Sequence, residues 1–149
     1  MPAYTATTRA AVANPRTIGR IGHDASAVQR GCLTRMTISS SGTPADNAII
    51  WTLQRCTTTG TMTSVTPAVR DVADGAADLT ASENASAEPT YTASTELFDH
   101  AINQRATLIV VYDERNEIII PATANNGLGV KAAHSAFTGN AECTLTWTE

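Results

Sequence analysis

The C-terminal segment reads Ala141-Glu142-Cys143-Thr144-Leu145-Thr146-Trp147-Thr148, with an apolar side chain at every second position. Successive side chains of a β-strand point to opposite faces, so this period of two predicts a strand with one face in the core and one in water. Such half-buried strands are typical of antiparallel sheets. The segment therefore predicts an antiparallel β protein with Trp147 as a core anchor.

The same period of two appears in two further segments, residues 49–55 and 32–38. The side chains predicted to face the core are Ile49, Trp51 and Leu53 in the first segment, and Cys32, Thr34, Met36 and Ile38 in the second. Strands are also predicted at residues 61–66 and 128–134. The many threonines fit this interpretation, because a β-branched side chain suits a pleated, half-exposed surface.

A continuous apolar run, Leu108-Ile109-Val110-Val111-Tyr112, predicts a buried central strand. The polar residues 113–116 follow it, and then the apolar residues 118–120. Strand, polar turn and strand in this order predict a β-hairpin. Pro121 lacks a backbone N–H and is expected to end the second strand.

Only residues 96–105 show helical periodicity, with an apolar face formed by Leu97, Phe98, Ala101 and Ile102. Residues 67–95 combine acidic side chains with Ala, Ser and Thr, and they predict a long surface loop. Together these patterns predict an all-β protein. We expect an antiparallel β-sandwich or jelly roll of seven to eight short strands, with one long acidic loop and at most one short helix.

The composition is dominated by Ala (25 residues) and Thr (24 residues), about a third of the 149 residues. The charged fraction of 16% is too low for a coiled coil. No apolar run approaches the roughly 20 residues that a membrane-spanning helix needs, so no membrane partner is predicted. A chain of this length fits one domain. We expect residues 1–20, which are basic and lack acidic side chains, to form an N-terminal arm, and residues 21–149 to form a single β-sandwich domain.

Charge is unevenly divided along the chain. Residues 1–70 carry seven Arg and two Asp, a net +5, whereas residues 71–149 carry three basic and twelve acidic residues, a net −9, and the two sum to −4. The basic residues are dispersed without interleaved aromatic residues, so no nucleic-acid partner is predicted. Two interpretations stay open: the halves mix within one fold, or they make complementary contacts with neighbouring subunits or with an acidic partner surface. The candidate interface residues lie in the expected N-terminal arm, which would contact a neighbouring subunit or another partner: Arg9, Arg16 and Arg20.

No motif predicts a catalytic, cofactor or metal site. The three cysteines lie far apart and are interpreted as buried free thiols: Cys32, Cys56 and Cys143. The three histidines have unrelated spacings, and no nucleophile motif accompanies them. Three carboxylates near Gly75 miss the spacing of a calcium loop and are interpreted as solvated: Asp71, Asp74 and Asp78. We therefore expect a protein that is not an enzyme and that holds no cofactor.

As a whole, the chain resembles the small, Ala/Thr-rich head-associated proteins of tailed bacteriophages over about residues 20–149. The segments that carry the resemblance are Trp51-Thr52-Leu53-Gln54-Arg55, Thr57-Thr58-Thr59-Gly60-Thr61, Val65-Thr66-Pro67, Glu88-Pro89-Thr90, Asn103-Gln104-Arg105-Ala106, residues 121–129 and the Thr-rich end at Glu149. The resemblance implies a capsid decoration, or cement, subunit of the virion. Such a subunit forms a homo-oligomer, expected to be a trimer, and sits on the major capsid protein at the capsid exterior.

Two alternatives stay open beside this hypothesis. A tail-tube, fibre or other virion appendage subunit would also be all-β and self-assembling. A receptor- or carbohydrate-binding β-sandwich belongs to a different class of protein. That last class commonly exposes aromatic side chains for stacking on its ligand, and the chain has few aromatic residues, 5% in all.

Overall fold

The computed structural model describes residues 1–11, 15–27, 29–134 and 137–149. This part of the chain forms twelve β-strands and no helix, and therefore no helix that could span a membrane. In chain order the strands are β1 Ala3–Ala11, β2 Arg16–Gly22, β3 Gly31–Gly42, β4 Ala48–Cys56, β5 Thr61–Val65, β6 Ala68–Val69, β7 Thr80–Ala87, β8 Tyr91–Asn103, β9 Leu108–Val111, β10 Ile118–Ile120, β11 Gly127–Ala133 and β12 Gly139–Thr148.

The strands form two six-stranded sheets. Sheet I has the order β10-β3-β12-β1-β6, with β9 also paired to β3, and sheet II has the order β5-β7-β2-β11-β4-β8. All the strand pairs of both sheets are antiparallel. One hydrophobic core contains side chains of both sheets, including Leu145 and Trp147 from sheet I and Trp51, Leu53 and Leu128 from sheet II. The all-β, antiparallel class predicted from the sequence is confirmed, although the strands number twelve rather than seven or eight.

Two of the alternating segments, in β12 and β4, bury the side chains that were predicted to face the core. In β12 the side chains of Ala141, Cys143, Leu145 and Trp147 are buried. In β4 the buried apolar set is Ile49, Trp51 and Leu53. The predicted strands at 61–66 and 128–134 correspond to β5 and β11.

In β3 the predicted inward-facing set is only half right. Met36 and Ile38 are buried, but Leu33 is buried in place of Cys32 and Thr34. The cause is an irregularity in the pairing with β12, where Thr146 pairs with Arg35 but the next residue, Trp147, pairs with Leu33. The extra residue, Thr34, reverses the face on which the preceding side chains of β3 lie, so Leu33 points inward and Cys32 does not.

The predicted helix at residues 96–105 is wrong, because these residues belong mostly to β8. That strand pairs with β4 from Ala48↔Asn103 to Cys56↔Tyr91, with register shifts near Gln54. Phe98 and Ile102 pack against the core, whereas Leu97 is 39% exposed. Leu97 falls at the shift between Phe98 and Glu96, so the spacing that imitates a helical face includes one residue of an irregular strand.

The predicted long acidic loop at residues 67–95 is also wrong in extent. It contains β6, β7 and the start of β8, and it leaves residues 70–79 as an irregular segment. Within β7 the inward side chains are the small Ala81 and Ala85. Alternation is hard to read in a sequence when the buried residues are alanines.

The predicted hairpin at residues 108–120 is not formed. Both β9 and β10 pair with β3, at residues 35–38 and 31–33 of that strand respectively. The two segments therefore lie in succession along one edge of sheet I. They do not pair with each other, and β9 is an edge strand rather than a buried central one.

The predicted N-terminal arm is instead two strands within the sheets. β1 lies between β12 and β6, in register from Ala3↔Thr148 to Ala11↔Asn140. β2 lies between β7 and β11 in the other sheet. In β1 the buried Tyr4, Ala6, Thr8 and Ala10 alternate with more exposed residues, so this segment follows the same period of two as β12.

Candidate functional site

The edge strand β9 exposes apolar side chains beside unpaired backbone groups. The backbone N–H of Tyr112 donates to Thr34 O at 2.9 Å, so the alternation of an antiparallel ladder turns the backbone of Val110 and Leu108 toward β3 as well. The N–H and C=O groups of Ile109 and Val111 therefore point away from the sheet. Their side chains are 50% and 62% exposed.

The strands β3, β12 and β1, of which β3 pairs with β9, present short polar side chains on the outer side of sheet I. We call this the threonine face and define it by Thr5, Thr7, Thr37 and Thr144. Thr7 and Thr144 pair across β1 and β12, and their hydroxyls lie 3.0 Å apart. Thr37 pairs with Ile109, which joins the threonine face to the apolar edge. The combined surface carries these short side chains together with longer charged ones, since Arg35 pairs with Val111 and Arg9 pairs with Glu142.

The structure does not bring the three predicted interface arginines together. On the outer side of sheet I, Arg9 forms an ion pair with Glu142, with 2.9 Å between Nε and Oε1. Arg16 donates to the backbone oxygen of Ala11 and to Asn84 Oδ1.

The third arginine, Arg20, is only 1% exposed. Its Nη2 donates to the carbonyl oxygens of His23 and Asn125, at 2.8 and 3.0 Å. Two loops are thereby fixed to β2. Arg20 thus has a structural position that makes it unavailable to a partner, whereas Arg9 stays on the surface.

A polar depression of about 380 Å³ lies over sheet II, and the sequence did not predict it. Its walls include Asp24, Ser64, Thr80, Ser82 and Asn125, which come from four separate parts of the chain. Thr80 Oγ1 lies within hydrogen-bonding distance of both Gly22 O and Asp24 Oδ1, at 3.0 and 3.1 Å. These hydroxyl, amide and carboxylate groups suit a small polar ligand, but no aromatic side chain lines the depression.

A second polar cluster covers the middle strands of sheet II. Glu88 accepts hydrogen bonds from the backbone N–H and the hydroxyl of Thr17, and that hydroxyl also lies 2.6 Å from Tyr91 Oη. Burial raises the pKa of Tyr91, so its side chain stays a neutral phenol. Lys131 lies over the Tyr91 ring, with Nζ 4.4 Å from the ring centroid. Cation–π contact and hydrogen bonds together hold this cluster in place.

The described residues contain no group of three or more His, Cys, Asp and Glu side chains that could hold a metal ion. Near Gly75, Asp71 Oδ1 accepts a hydrogen bond from the backbone N–H of Ala73, and Asp78 accepts one from Gln29. All three cysteines are free thiols. Burial raises the pKa of Cys56 and of Cys143, which keeps both as neutral thiols.

In comparisons with protein-family models, curated proteins and solved structures, nothing matches this chain. Its function must therefore be argued from its surfaces. Among these surfaces, the β9 edge combines exposed apolar side chains with outward backbone groups, and the threonine face lies beside it. A second protein chain could pair with such an edge.

Proposed function

We propose that the protein is a virion structural subunit that decorates the outer surface of a bacteriophage head. In this proposal it is a β-sandwich that self-assembles, as a trimer, and binds the major capsid protein. The observation that carries the self-assembly is the β9 edge, where Ile109 and Val111 combine exposed apolar side chains with outward backbone groups. The resemblance of the sequence to head-associated proteins supports the location on the head.

The physical argument concerns what an exposed edge strand does in water. Unpaired strand edges are templates for pairing with another chain, and soluble proteins usually protect them with charges or proline. Residues 108–111 contain neither. Burying a large apolar side chain contributes about 1.5–3 kcal/mol, and added backbone hydrogen bonds give the contact a defined register. The β9 edge is therefore suited to pair with an edge of a neighbouring subunit.

The threonine face supports a role in a lattice. Ordering a long Lys, Arg or Glu side chain costs up to about 2 kcal/mol, whereas short side chains lose less conformational entropy when they are covered. Thr7 and Thr144 already hold each other by their hydroxyls. A face of this kind can rest on another protein surface with little reorganisation.

Substituting Val111 with Lys tests the assembly. Val111 is exposed, so V111K should fold, but a charge at the edge should prevent strand pairing. We expect native mass spectrometry to show trimers of the wild-type protein and monomers of V111K. The matched control is V72K, because Val72 is 96% exposed in the irregular segment 70–79; it should assemble like the wild type. Wild-type protein that stays monomeric would contradict the proposal.

Cosedimentation with empty phage heads and electron microscopy test the role. A decoration subunit should sediment with heads and appear alone as small particles. Filaments of purified protein would favour the tail-tube or fibre alternative instead.

The second candidate function is a receptor- or carbohydrate-binding domain, and the polar depression with Asp24 and Asn125 favours it. A glycan array distinguishes this candidate. Specific binding that D24A abolishes would support it, and an array without hits would exclude the glycan ligands tested.

A further inference from the structure

Lys131 is the only lysine in a chain that otherwise carries nine arginines. It lies on β11, and its Nζ donates a hydrogen bond to Gln54 Oε1 at 2.5 Å. Gln54 pairs with Gly129 across β4 and β11, so Lys131 is its diagonal neighbour on the adjacent strand. The one primary amine among the side chains therefore lies against a carboxamide.

The Gln54 carboxamide is fixed in the orientation that faces this amine. Its side chain is only 4% exposed. Nε2 donates to Thr92 O and to Glu96 Oε1, both at 2.9 Å. Both of those partners are acceptors, so the amide nitrogen must face them and the amide oxygen must face Lys131. The carbonyl carbon lies one bond beyond the oxygen that Nζ contacts.

Tyr91 covers the same place. Its ring lies against Lys131 Nζ, and a side chain at position 129 would overlap its hydroxyl, so Gly129 makes room for it. The amine is thus partly shielded from water by an aromatic ring. Glu96 contacts the amide nitrogen, which is the atom that a substitution at the carbonyl carbon would release.

We propose that Lys131 and Gln54 form an intramolecular isopeptide bond that joins β11 to β4. The ammonium group of Lys131 loses one proton to water, and the lone pair of the neutral amine attacks Cδ of Gln54. The attacking nitrogen then gives up its second proton, and the Glu96 carboxylate, which accepts a hydrogen bond from Nε2, relays a proton to that nitrogen as the Cδ–Nε2 bond breaks. Ammonia leaves and takes up the proton that was released to water. The balance is one lysine ammonium and one carboxamide giving one secondary amide and one ammonium ion, with no oxidant or cofactor.

The arrangement accounts for the choice of lysine at position 131. An arginine could make the same hydrogen bond and the same contact with Tyr91, but its guanidinium stays protonated and does not act as an amine nucleophile. The bond would link two neighbouring strands in the interior of sheet II. This proposal is independent of self-assembly, since all its groups belong to one subunit.

The test uses the purified full chain, unfolded in denaturant. Loss of ammonia lowers the intact mass by about 17 Da relative to the sequence. An amine-reactive reagent should label one group per chain, the terminal amine, instead of two. Fragmentation of a protease digest should give one peptide pair joined through Lys131 and Gln54. The variant K131R, which keeps the charge, should have its full calculated mass.

Further variants make the result decisive. E96Q should leave the hydrogen bond from Lys131 to Gln54 Oε1 in place but show a slower or incomplete loss of mass, because a glutamine amide cannot relay a proton to Nε2. A succinimide at an asparagine also loses ammonia, but it would persist in K131R and leave two labelled amines. Wild-type protein with full mass and two labelled amines, both when fresh and after prolonged incubation, would overturn the proposal.

Discussion

The side-chain carboxylate of Glu149 accepts hydrogen bonds from four neutral donors. The donors are Trp147 Nε1, the backbone N–H groups of Leu79 and Asp78, and Gln29 Nε2, at distances of 2.7–3.2 Å. The side chain is buried, and it ties the end of the irregular segment 70–79 to β12. A glutamine there would turn an NH₂ group toward donors. We expect E149Q to lower the free energy of unfolding by about 2 kcal/mol.

Urea unfolding followed by tryptophan fluorescence measures this loss. The matched control is E114Q, since Glu114 is exposed and makes no side-chain hydrogen bond within the described residues. E114Q should differ from the wild type by less than about 0.5 kcal/mol. Equal stability of E149Q and E114Q would show that the four contacts do not stabilise the fold.

The buried thiol of Cys143 should make the folded protein less stable as the pH becomes alkaline. Burial raises the pKa of this thiol above its ordinary value of 9.0. In the unfolded chain the thiol ionises near pH 9, whereas the folded chain keeps the proton, so the unfolded state binds fewer protons. The contribution of the buried neutral thiol to the free energy of unfolding is fully present below the unfolded-state pKa. It is lost as pH rises from there toward the folded-state pKa, at up to about 1.4 kcal/mol per pH unit.

Urea unfolding at pH 8 and pH 10.5 checks this prediction. C143A removes one titrating group, so its stability should fall less between the two pH values than that of the wild type. Some decline should persist, because burial also raises the pKa of Cys56 and of Tyr91. An identical decline in C143A and wild type would contradict the prediction.

The contact between strands β1 and β2 depends on Gly19. A Cβ at this position would overlap Thr8 Oγ1 and come within about 3 Å of two further Thr8 atoms. Thr8 cannot easily move, because it is fully buried and its hydroxyl donates to Cys143 O. We expect G19A to destabilise the protein by about 2–3 kcal/mol through overpacking.

The control for G19A is G75A, because a Cβ at position 75 meets nothing within 4 Å. G75A should unfold at a urea concentration close to that of the wild type. In the double variant G19A/T8A the two changes should cost less together than their sum, since the clash is relieved. Additive costs would place the effect of G19A elsewhere.

At the level of strands, the sequence predicts what alternation of large side chains can show. β12 and β4 were predicted because Trp147, Leu145 and Leu53 recur every second residue. β7 was missed because its inward residues are alanines. β8 resembles a helix in the sequence because Leu97, Phe98 and Ile102 have helical spacing, whereas in the strand Leu97 is the extra residue at a register shift. Local patterns describe a strand's faces only when its inward residues are large and its register is regular.

Strand partners are determined by residues distant in the chain, and the sequence shows them poorly. The apolar run at 108–112 predicts a strand correctly, but nothing in it states that β9 has one neighbour rather than two. The exposed edge was therefore predicted as buried. The pair Lys131 and Gln54 is 77 residues apart and had no local signal either. The β9 edge and the contact between Lys131 and Gln54 both arise from the pairing of strands within a sheet, not from a local sequence motif.

At the scale of the whole molecule, the two oppositely charged halves of the chain share both sheets. β1 and β2, from the basic half, each lie next to strands from the acidic half: β12 beside β1, and β7 and β11 beside β2. Two ion pairs join the halves directly, Arg9 with Glu142 and Arg105 with Asp46. The sequence-level asymmetry is thus reduced within one subunit, and assembly need not depend on it.

The position of the N-terminal strands leads to a prediction about truncation. Deleting residues 1–20 would remove β1 and most of β2, and each of these strands has neighbours on both sides. The buried Tyr4, Ala6 and Ile18 would leave the core, and Trp147 would lose its aromatic neighbour Tyr4. Because both sheets would be interrupted, we expect the truncated chain to lose its cooperative urea transition and most of its strand signal in circular dichroism.

Deletion of Met1 alone is the control, since that side chain is exposed and precedes β1. It should unfold like the full chain. A chain lacking residues 1–20 that kept a cooperative transition and its strand signal would mean that the N-terminal segment is dispensable, as an arm would be. If the truncated chain loses its cooperative transition, a loss of head binding would report only unfolding. The proposed binding to heads is therefore measured with V111K, in which both sheets stay complete.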